Sequence, residues 1–533
     1  MESFKSWSGI LTISLERLAP FANDPVRSYT DPSDIAAMQA ALAEVDDAFG
    51  KHYPLIIDGE RVDCAKKIQS SDPSAPDRIV GHVASASLPQ AVRAIERAHE
   101  RFAAWKSVPV AERAGYLLSA AELVRRRRFR FNALMVREVG KTWVEADADT
   151  AEAIDFLEFY AREALRYAGA QPVTPVAGEV NELRYIPLGV GLSIPPWNFP
   201  FAIMAGMTSA AIVAGNTVIL KPSSDAPVIA AWFVDLLHEV GLPNGVVNFV
   251  PGSAAEIGDA MVSHPLVRFI SFTGSKSVGL HINELAAKPV AGQRWIKRVV
   301  AEMGGKDAIV VAADADIDAA VEGVAVSAFG FQGQKCSACS RAIVEASIYD
   351  EFVEKLRARV AKITVGDPTN GAFHMGPVIN ERALKDHLRY VEIGSREGRL
   401  LHGGKRVGES GYFLEPTVIA DVPPHAVIAQ EEIFGPVLAV IKARDYDHAI
   451  EIANDTEFGL TGSVYTRDER KIERARDEFF VGNLYFNRKS TGALVGGHPF
   501  GGFNMSGTDS KAGGRDYLLL FLQAKSISRK LTP

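Results

Sequence analysis

One cysteine segment of the chain, FQGQKCSACSR, has the residue types of a reactive thiol site. We expect a helix to end just before Gly333, so that the chain enters a loop that presents Cys336. Lys335 is expected to favour the thiolate, the nucleophilic form of cysteine. The alternatives are an inert buried cysteine and half of a metal site, because Cys336 and Cys339 have ligand spacing. Only Cys64 remains, so a four-cysteine zinc site is excluded and we predict no metal.

Two further side chains could complete a thiol-dependent site. A thioester on cysteine needs a base that activates water, and Glu302 in VVAEMGGKDA is a candidate. It lies at a predicted strand end, before two glycines that would keep the space in front of it open, although a solvated carboxylate at a turn has the same pattern. Asn198, in IPPWNFPF, lies in the least polar stretch, where an unpaired amide is costly to bury. It is expected either to donate to a ligand oxyanion or to cap a helix starting near Pro200.

The elements that must position these residues alternate between strands and helices. Short runs rich in Val and Ile precede helical patterns, which is typical of βαβ units around a parallel sheet. The predicted strands are 217–221, 246–250, 269–272, 308–311 and 342–345, and the predicted helices are 33–49, 88–106, 110–130, 150–167, 201–214, 227–240, 254–262, 276–285, 317–332 and 348–363. We place the junction between two successive α/β units near residues 302–306.

Composition and charge exclude several classes of protein. The chain has 533 residues, of which 47% are hydrophobic and 23% charged, so it is an ordinary globular chain with room for about three structural units. Its net charge of −7 gives no basic surface for nucleic acid or an anionic membrane. Prolines interrupt the charge-free stretch 185–220, so we expect no membrane span, and the N-terminal segment lacks the features of a cleaved signal. The chain has only three cysteines, and this small number favours a reducing compartment.

Two familiar phosphate-binding motifs are incomplete. The segment GKT at 140–142 matches the end of a phosphate loop, but Met135 stands where the first glycine is required. The segment GVG at 189–191 begins a dinucleotide fingerprint whose third glycine is replaced by Ile194. Any nicotinamide binding must therefore use another loop chemistry.

Six segments, PWNFP, VILKPSS, FTGSKSVG, AEMGGK, GQKCSA and EEIFGPV, occur in this order. Together they resemble the aldehyde dehydrogenase superfamily, and the resemblance runs from about residue 52 to residue 528. The ending TGALVGGHPFGGFNMSGTDSKAGGRDYLLLFLQAK is similar to the branch that oxidises L-glutamate γ-semialdehyde, which is in equilibrium with 1-pyrroline-5-carboxylate, to L-glutamate in the second step of proline catabolism. The length resembles the free-standing form rather than the form fused to proline dehydrogenase.

The resemblance implies roles for the three reactive residues. Cys336 matches the family nucleophile, which forms a thiohemiacetal and then a thioester. The Asn198 amide and the Cys336 backbone N–H match the donors that hold the oxyanion. Glu302 matches the base that activates the hydrolytic water.

The resemblance also implies binding sites for NAD and for a small semialdehyde. The residues matching NAD contacts are Lys221, Gly274, Ser275, Glu432 and Phe434. Many relatives have a Glu, which repels the 2′-phosphate of NADP, at the position of Ser224. Serine removes this repulsion, so NADP is an alternative coenzyme. It is a weaker alternative than NAD, because no Arg lies beside Ser224 to bind the phosphate. The residues matching the substrate site are Ser337, Gly492 and Ala493 for the carboxylate, Phe199 and Phe500 for the stem, and Glu152, with Glu145 as its rival, for the ammonium group.

The fold implied by the resemblance is α/β, with two doubly wound open-sheet domains and a small β-flap oligomerisation element. The Rossmann-like NAD domain would comprise 1–170 and 188–303, the catalytic domain 304–500, and the oligomerisation element 171–187 and 510–533. The β-flap would pair with a strand near 525–530 across a dimer interface. We therefore expect a homodimer or a dimer-based oligomer, located in the cytoplasm or, in a eukaryote, in the mitochondrial matrix.

Several alternatives to this function stay open. Succinate semialdehyde or another small aldehyde would keep the chemistry and change the substrate. A CoA-acylating enzyme would not need a base at Glu302, and a thiol-dependent hydrolase would turn over esters without nicotinamide. A non-catalytic protein with the same fold would not need Cys336, Glu302 and Asn198 together.

Overall fold

The computed structural model describes residues 14–169 and 171–531. Residues 1–13 of the N-terminal segment on which the signal prediction rests, and the outer ends of two predicted domain ranges, lie outside these residues. The helices are α1 (Pro32–Asp47), α2 (Leu88–Trp105), α3 (Val110–Arg126), α4 (Arg128–Val139), α5 (Trp143–Ala168), α6 (Ala202–Val213), α7 (Pro227–Glu239), α8 (Asp259–Ser263), α9 (Lys276–Ala287), α10 (Ile317–Phe329), α11 (Tyr349–Val360), α12 (Glu381–Glu397), α13 (Val427–Gln430), α14 (Tyr446–Asn454) and α15 (Glu469–Glu478). Within the described residues no helix is both long and apolar enough to cross a membrane.

The strands of the described residues form two large sheets and three small ones. They are β1 (Lys51–Tyr53), β2 (Leu55–Ile57), β3 (Glu60–Val62), β4 (Lys67–Asp72), β5 (Ala75–Ala84), β6 (Glu179–Pro187), β7 (Val190–Ile194), β8 (Thr217–Leu220), β9 (Val247–Phe249), β10 (Val267–Thr273), β11 (Arg298–Glu302), β12 (Ala308–Val311), β13 (Arg341–Glu345), β14 (Arg399–His402), β15 (Thr417–Ala420), β16 (Val437–Ala443), β17 (Phe458–Gly459), β18 (Thr461–Tyr465), β19 (Asn483–Phe486), β20 (Phe503–Asn504) and β21 (Leu522–Lys530).

Each large sheet has seven strands and is mostly parallel. The first has the order β11-β10-β7-β8-β9-β2-β3, with antiparallel strands only at the β2–β3 edge. The second has the order β14-β15-β16-β13-β12-β18-β19, with β14 antiparallel. The chain passes from the first sheet to the second between Glu302 and Ala308. The α/β class with two open sheets is confirmed, whereas the domain ranges derived from the sequence stay a prediction.

Helices cover both faces of each large sheet, because its strands carry apolar side chains on both sides. In the first sheet Ile219 packs with residues of α2, α8 and α9, whereas Val218 and Leu220 pack with α6 and α7. In the second, Val310 contacts the side of α14, whereas Ile309 and Val311 contact the side of α10 and α11. These four apolar clusters hold in place the strand ends near which the reactive residues lie.

The small β6–β21 sheet lies where the sequence placed the oligomerisation element. Its nine residue pairs run antiparallel from Leu522 opposite Pro187 to Lys530 opposite Glu179. Both strands belong to one chain, so the expected pairing across a dimer interface was wrong in this respect. The pairing is intramolecular because Tyr517–Phe521 packs into the first core and delivers β21 beside β6.

Two predicted helices end differently in the structure. The helix expected over 110–130 is interrupted at Arg127, where φ is −107° and ψ is 15°, and α4 follows at once. The break lets the buried Arg128 side chain pair with Asp24 and Asp147. The helix expected over 317–332 ends at Phe329 and gives way to a tight turn, which shapes the loop before Cys336.

Candidate active site

A pocket between the two large sheets contains most of the residues predicted from the sequence. Cys336, from the second α/β unit, and Glu302, from the end of β11, both line it. The other predicted residues in its wall are Glu152, Phe199, Ser337, Gly492, Ala493 and Phe500. Phe156, Tyr160 and Tyr517 also line it, although no local pattern in the sequence pointed to them.

A second cleft opens beside this pocket and contains the residues predicted to bind NAD. Its lining includes Asn198, Lys221, Gly274, Ser275, Glu432 and Phe434. Cys336 lines both cavities and therefore marks their junction. Ser224 is exposed and is not part of the lining, whereas its neighbours Ser223 and Asp225 are.

Cys336 is positioned by a strained turn after α10. Phe331 and Gln332 have φ values of 49° and 57°, so both non-glycine residues adopt the left-handed region. The Gln332 amide donates to the carbonyls of Gly140 (3.2 Å) and Pro377 (2.7 Å). These bonds hold the turn in place and direct the next loop into the pocket.

The surroundings of Cys336 favour the neutral thiol. Burial, and then the nearby Asp307 and Glu302 carboxylates, hold its pKa well above the ordinary value. Lys335 does not offset this effect, because its ammonium group is paired with Glu145 at 2.7 Å. The expectation that Lys335 favours the thiolate was therefore wrong for the protein without ligands.

Asn198 is buried and directs its amide toward the Cys336 loop. Its Nδ2 atom donates to the carbonyl of Gln334 at 3.0 Å. The alternative role as a helix cap was wrong, because Phe201 occupies the cap position of α6 and the Ala202 N–H donates to Asp149 at 2.6 Å. The amide is thus available beside the nucleophile.

Glu302 is buried in the pocket with only one carboxylate oxygen bonded. The Ser510 hydroxyl donates to Oε1, and Oε2 has no hydrogen-bond partner among the described residues. Burial raises the pKa of Glu302 to about 8, and the Ser510 bond lowers it in part. The space beside the carboxylate is provided by Gly501, where a Cβ atom would lie 2.8 Å from Oε1.

The two glycines after Glu302 serve different neighbours from those expected. A Cβ atom on Gly304 would lie 2.0 Å from the Glu432 carboxylate, and one on Gly305 would lie 2.7 Å from the Cys336 carbonyl. The Gly305 N–H donates to Glu432 Oε1 at 3.1 Å. These glycines therefore admit Glu432 and the Cys336 loop rather than clearing space for Glu302.

The cofactor cleft combines a buried cation with a helix N-terminus. Lys221 follows β8, is 7% exposed, and has its pKa lowered to about 8 by burial. Ser275 precedes α9 and lines the cleft, and the N-terminus of a helix favours an anion. Phe434 contacts Trp197 edge to face at 5.6 Å and closes the nearby wall. These donors fit a dinucleotide, since they offer a pyrophosphate-binding helix end and a buried cation.

The loop that contains Gly492 and Ala493 is shaped by local geometry. Gly492 has a φ of 78°, and Arg488 donates to its carbonyl at 3.1 Å. Glu152 faces the pocket, where burial and then Asp149 raise its pKa to about 8. Glu145, the other candidate for the ammonium group, pairs with Lys335 instead. Of these two carboxylates, Glu152 is the one that lines the pocket.

Comparisons with known proteins agree with this arrangement. The model of the aldehyde dehydrogenase family matches residues 61–527. The 1-pyrroline-5-carboxylate dehydrogenase of Geobacillus kaustophilus is 55% identical over 509 residues, covering 96% of this chain and 99% of the relative. That of Bacillus subtilis is 53% identical over 508 residues, covering 95% and 99%.

Solved structures give the same result. The structure of 1-pyrroline-5-carboxylate dehydrogenase from Thermus with bound NAD has a TM-score of 0.95 and 51% identity, covering 96% of this chain and 100% of that one. Betaine aldehyde dehydrogenase from Staphylococcus aureus in complex with NAD+ has a TM-score of 0.87 at 29% identity, covering 93% and 98%. This chain belongs to the aldehyde dehydrogenase family, and the predicted resemblance is confirmed.

Proposed function

We propose that this protein oxidises L-glutamate γ-semialdehyde, the open form of 1-pyrroline-5-carboxylate, to L-glutamate with NAD. The observation that carries the proposal is the junction at Cys336, where a pocket with carboxylate and ammonium partners meets the dinucleotide cleft. The free-standing relatives named 1-pyrroline-5-carboxylate dehydrogenase, similar over almost the whole chain, support the same reaction. It is the second step of proline catabolism.

The first half of the reaction takes place at Cys336. Its sulfur attacks the aldehyde carbon, the C–S bond forms, and the carbonyl π electrons move to oxygen. The thiol proton passes to solvent, and the Asn198 amide and the Cys336 N–H stabilise the oxyanion. Bound NAD supplies the acceptor for the hydride that leaves the thiohemiacetal.

Glu302 acts in the second half. Its free Oε2 atom takes a proton from water, and the resulting nucleophile attacks the thioester carbonyl. The C–S bond breaks and releases glutamate and the Cys336 thiolate, which takes the proton back from Glu302. The raised pKa of about 8 makes the carboxylate a stronger base than an ordinary Glu at neutral pH. The burial of Glu302 thus makes its carboxylate basic enough to activate the hydrolytic water.

The pocket wall supports an amino-acid semialdehyde as the substrate. The Gly492 and Ala493 amides and the Ser337 hydroxyl bind the α-carboxylate, since a glycine lets an anion approach the backbone closely. Phe199 and Phe500 contact the aliphatic stem. Glu152 accepts the α-ammonium group, which succinate semialdehyde lacks.

NAD is preferred over NADP because Asp225 lines the cleft near Lys221. Its Oδ1 atom accepts a hydrogen bond from Asn380 at 3.1 Å, so the carboxylate is held in place. A fixed negative charge there repels a 2′-phosphate. Asp225 therefore takes the role that the sequence comparison sought at Ser224.

The β6–β21 sheet provides the surface for a homodimer or a dimer-based oligomer. Each strand has one unpaired edge within the described residues, and apolar Val176, Val180 and Ile186 are at least 37% exposed nearby. Val180→Lys with Ile186→Lys is expected to reduce the mass measured by light scattering. Ile296→Lys, at an 88% exposed site elsewhere, is the control. We place the protein in the cytoplasm or, in a eukaryote, in the mitochondrial matrix, both reducing compartments that suit the unpaired Cys64, Cys336 and Cys339.

The test of the function measures NADH formation from 1-pyrroline-5-carboxylate by the wild type and by Cys336→Ala. We expect strong activity that the substitution abolishes, with lower activity on succinate semialdehyde. Cys339→Ala is the matched control, because Cys339 lies in the core behind the loop. A preference for succinate semialdehyde would refute the substrate, a requirement for CoA would indicate an acylating enzyme, and ester hydrolysis alone would indicate a hydrolase.

A further inference from the structure

Lys141 is a fully buried cation whose role is not explained by the reaction above. Its side chain is 0% exposed, and its Nζ atom lies 3.0 Å from Oδ2 of Asp149, which is also fully buried. It belongs to the GKT segment that resembles an incomplete phosphate loop. The structure places this lysine behind the catalytic pocket and in neither cavity lining.

The ammonium group of Lys141 contacts two aromatic rings from different parts of the chain. It lies 4.0 Å from the centre of the Phe199 ring and 4.5 Å from that of Phe331. Both distances are within the range in which a cation is attracted to an aromatic face. Phe199 directly follows Asn198, and Phe331 belongs to the strained turn that leads to Cys336.

The neighbours of Lys141 connect the same two loops through hydrogen bonds. Asp149 accepts from the N–H of Ala202, which begins the helix after the Asn198 loop. The carbonyl of Gly140, the residue before Lys141, accepts from the Gln332 amide in the turn before Cys336. Two cation–π contacts and two hydrogen bonds thus join residues 140–149 to the loop of Asn198 and to the turn before Cys336.

From these contacts we propose that Lys141, paired with Asp149, is a positioning residue for the oxyanion site. It holds the Phe199 and Phe331 rings together from behind, which fixes the distance between the Asn198 amide and the Cys336 sulfur. An uncharged residue would fill this volume without the cost of burying a charge, but it would not attract both rings. The proposal rests on the role of Asn198 given above under the proposed function.

The test is a double-mutant cycle between Lys141 and Asn198. Lys141→Met alone leaves Asp149 buried and unpaired and could prevent folding, so Lys141→Met/Asp149→Asn is made beside it. We expect Asn198→Ala to lower kcat about 100-fold, as for loss of an oxyanion donor. The paired substitution is expected to lower kcat about 10-fold with KM for NAD unchanged, because small misplacements reduce rates strongly.

The decisive readout is the effect on the Asn198→Ala background. If Lys141 acts through Asn198, the paired substitution costs less than about 3-fold there, since coupled residues are not additive. Equal losses on both backgrounds, or no loss in the wild type, would overturn the proposal. Lys297→Met removes another buried lysine, which lines neither cavity, and is expected to leave kcat unchanged.

The cycle is repeated with p-nitrophenyl acetate, whose hydrolysis needs the oxyanion site but no coenzyme. The ester experiment distinguishes a failure of the proposed function from a failure of the proposed role of Lys141. If the protein oxidised no semialdehyde, the proposed function would fail, and coupling in ester hydrolysis would still support Lys141. If oxidation were normal and coupling absent in both reactions, the role of Lys141 alone would be refuted.

Discussion

The hydroxyl of Ser510 donates to Oε1 of Glu302 and leaves Oε2 of the same carboxylate buried without a hydrogen-bond partner among the described residues. This bond stabilises the ionised form and therefore lowers the pKa of Glu302, against the larger effect of burial. The balance between the two sets the pH at which the base becomes available.

Ser510→Ala is expected to move the acidic limb of the kcat–pH profile to higher pH. Loss of the donor raises the pKa of Glu302 further above its value of about 8, so a smaller fraction is ionised at neutral pH. Ser506→Ala also removes a buried hydroxyl in the same segment, but one bonded to the Gly459 N–H, and should leave the limb in place. An unchanged profile for Ser510→Ala would contradict the assignment of this bond.

Glu302→Gln is expected to separate the two halves of the reaction. Hydride transfer does not need the base, so a rapid burst of about one NADH per active site should precede a steady rate lowered at least about 100-fold. Stopped-flow absorbance measures both phases. Absence of the burst, with the steady rate equally low, would indicate that Glu302 is needed before the thioester forms.

Gly492→Ala is expected to weaken semialdehyde binding, with KM raised about 10-fold and kcat less affected. Gly492 has a φ of 78°, which L side chains rarely adopt, and a new Cβ would lie 3.2 Å from Lys489 Cε. Gly497→Ala is the matched control, because its nearest neighbours are 3.8 Å away. Equal KM values for both variants would contradict the carboxylate anchor.

Asp225→Asn is expected to increase the ratio of kcat/KM for NADP to that for NAD about 10-fold, because the substitution removes a negative charge from the cleft. Ser224→Ala serves as its neighbour control and should leave the ratio unchanged, since Ser224 lies outside the lining. Steady-state kinetics with both coenzymes measure the effect. A changed NADP-to-NAD ratio for Ser224→Ala alone would indicate that coenzyme choice depends on Ser224 and not on Asp225.

The sequence predicted the parts of the site that lie within short motifs. Cys336, Glu302 and Asn198 each stand in a local pattern whose strand ends and loops follow from hydrophobic periodicity. The alternation of buried strands and helices likewise predicted both large sheets, because the period of apolar residues reflects burial directly.

The contacts that adjust the site could not be predicted in this way. Ser510 lies 208 residues from Glu302, so no local pattern relates the two. The glycines at 304 and 305 were assigned to Glu302 because they follow it, yet they accommodate Glu432 and the Cys336 loop. The break at Arg127 was missed because it depends on burial of the neighbouring Arg128 against distant carboxylates.

The final described strand has a consequence for how the protein is made. Asn216 donates to the carbonyl of Phe521 across 305 residues, and Arg298 donates to Leu522 across 224. At a synthesis rate of about 5–20 residues per second, the Asn216 partner leaves the ribosome roughly 15–60 s later. During that interval the nascent first sheet exposes apolar surface that Phe521 and Leu522 will cover. Translation speed and chaperone capacity therefore bear on the yield of active enzyme, since the half of the molecule that is synthesised first is completed last.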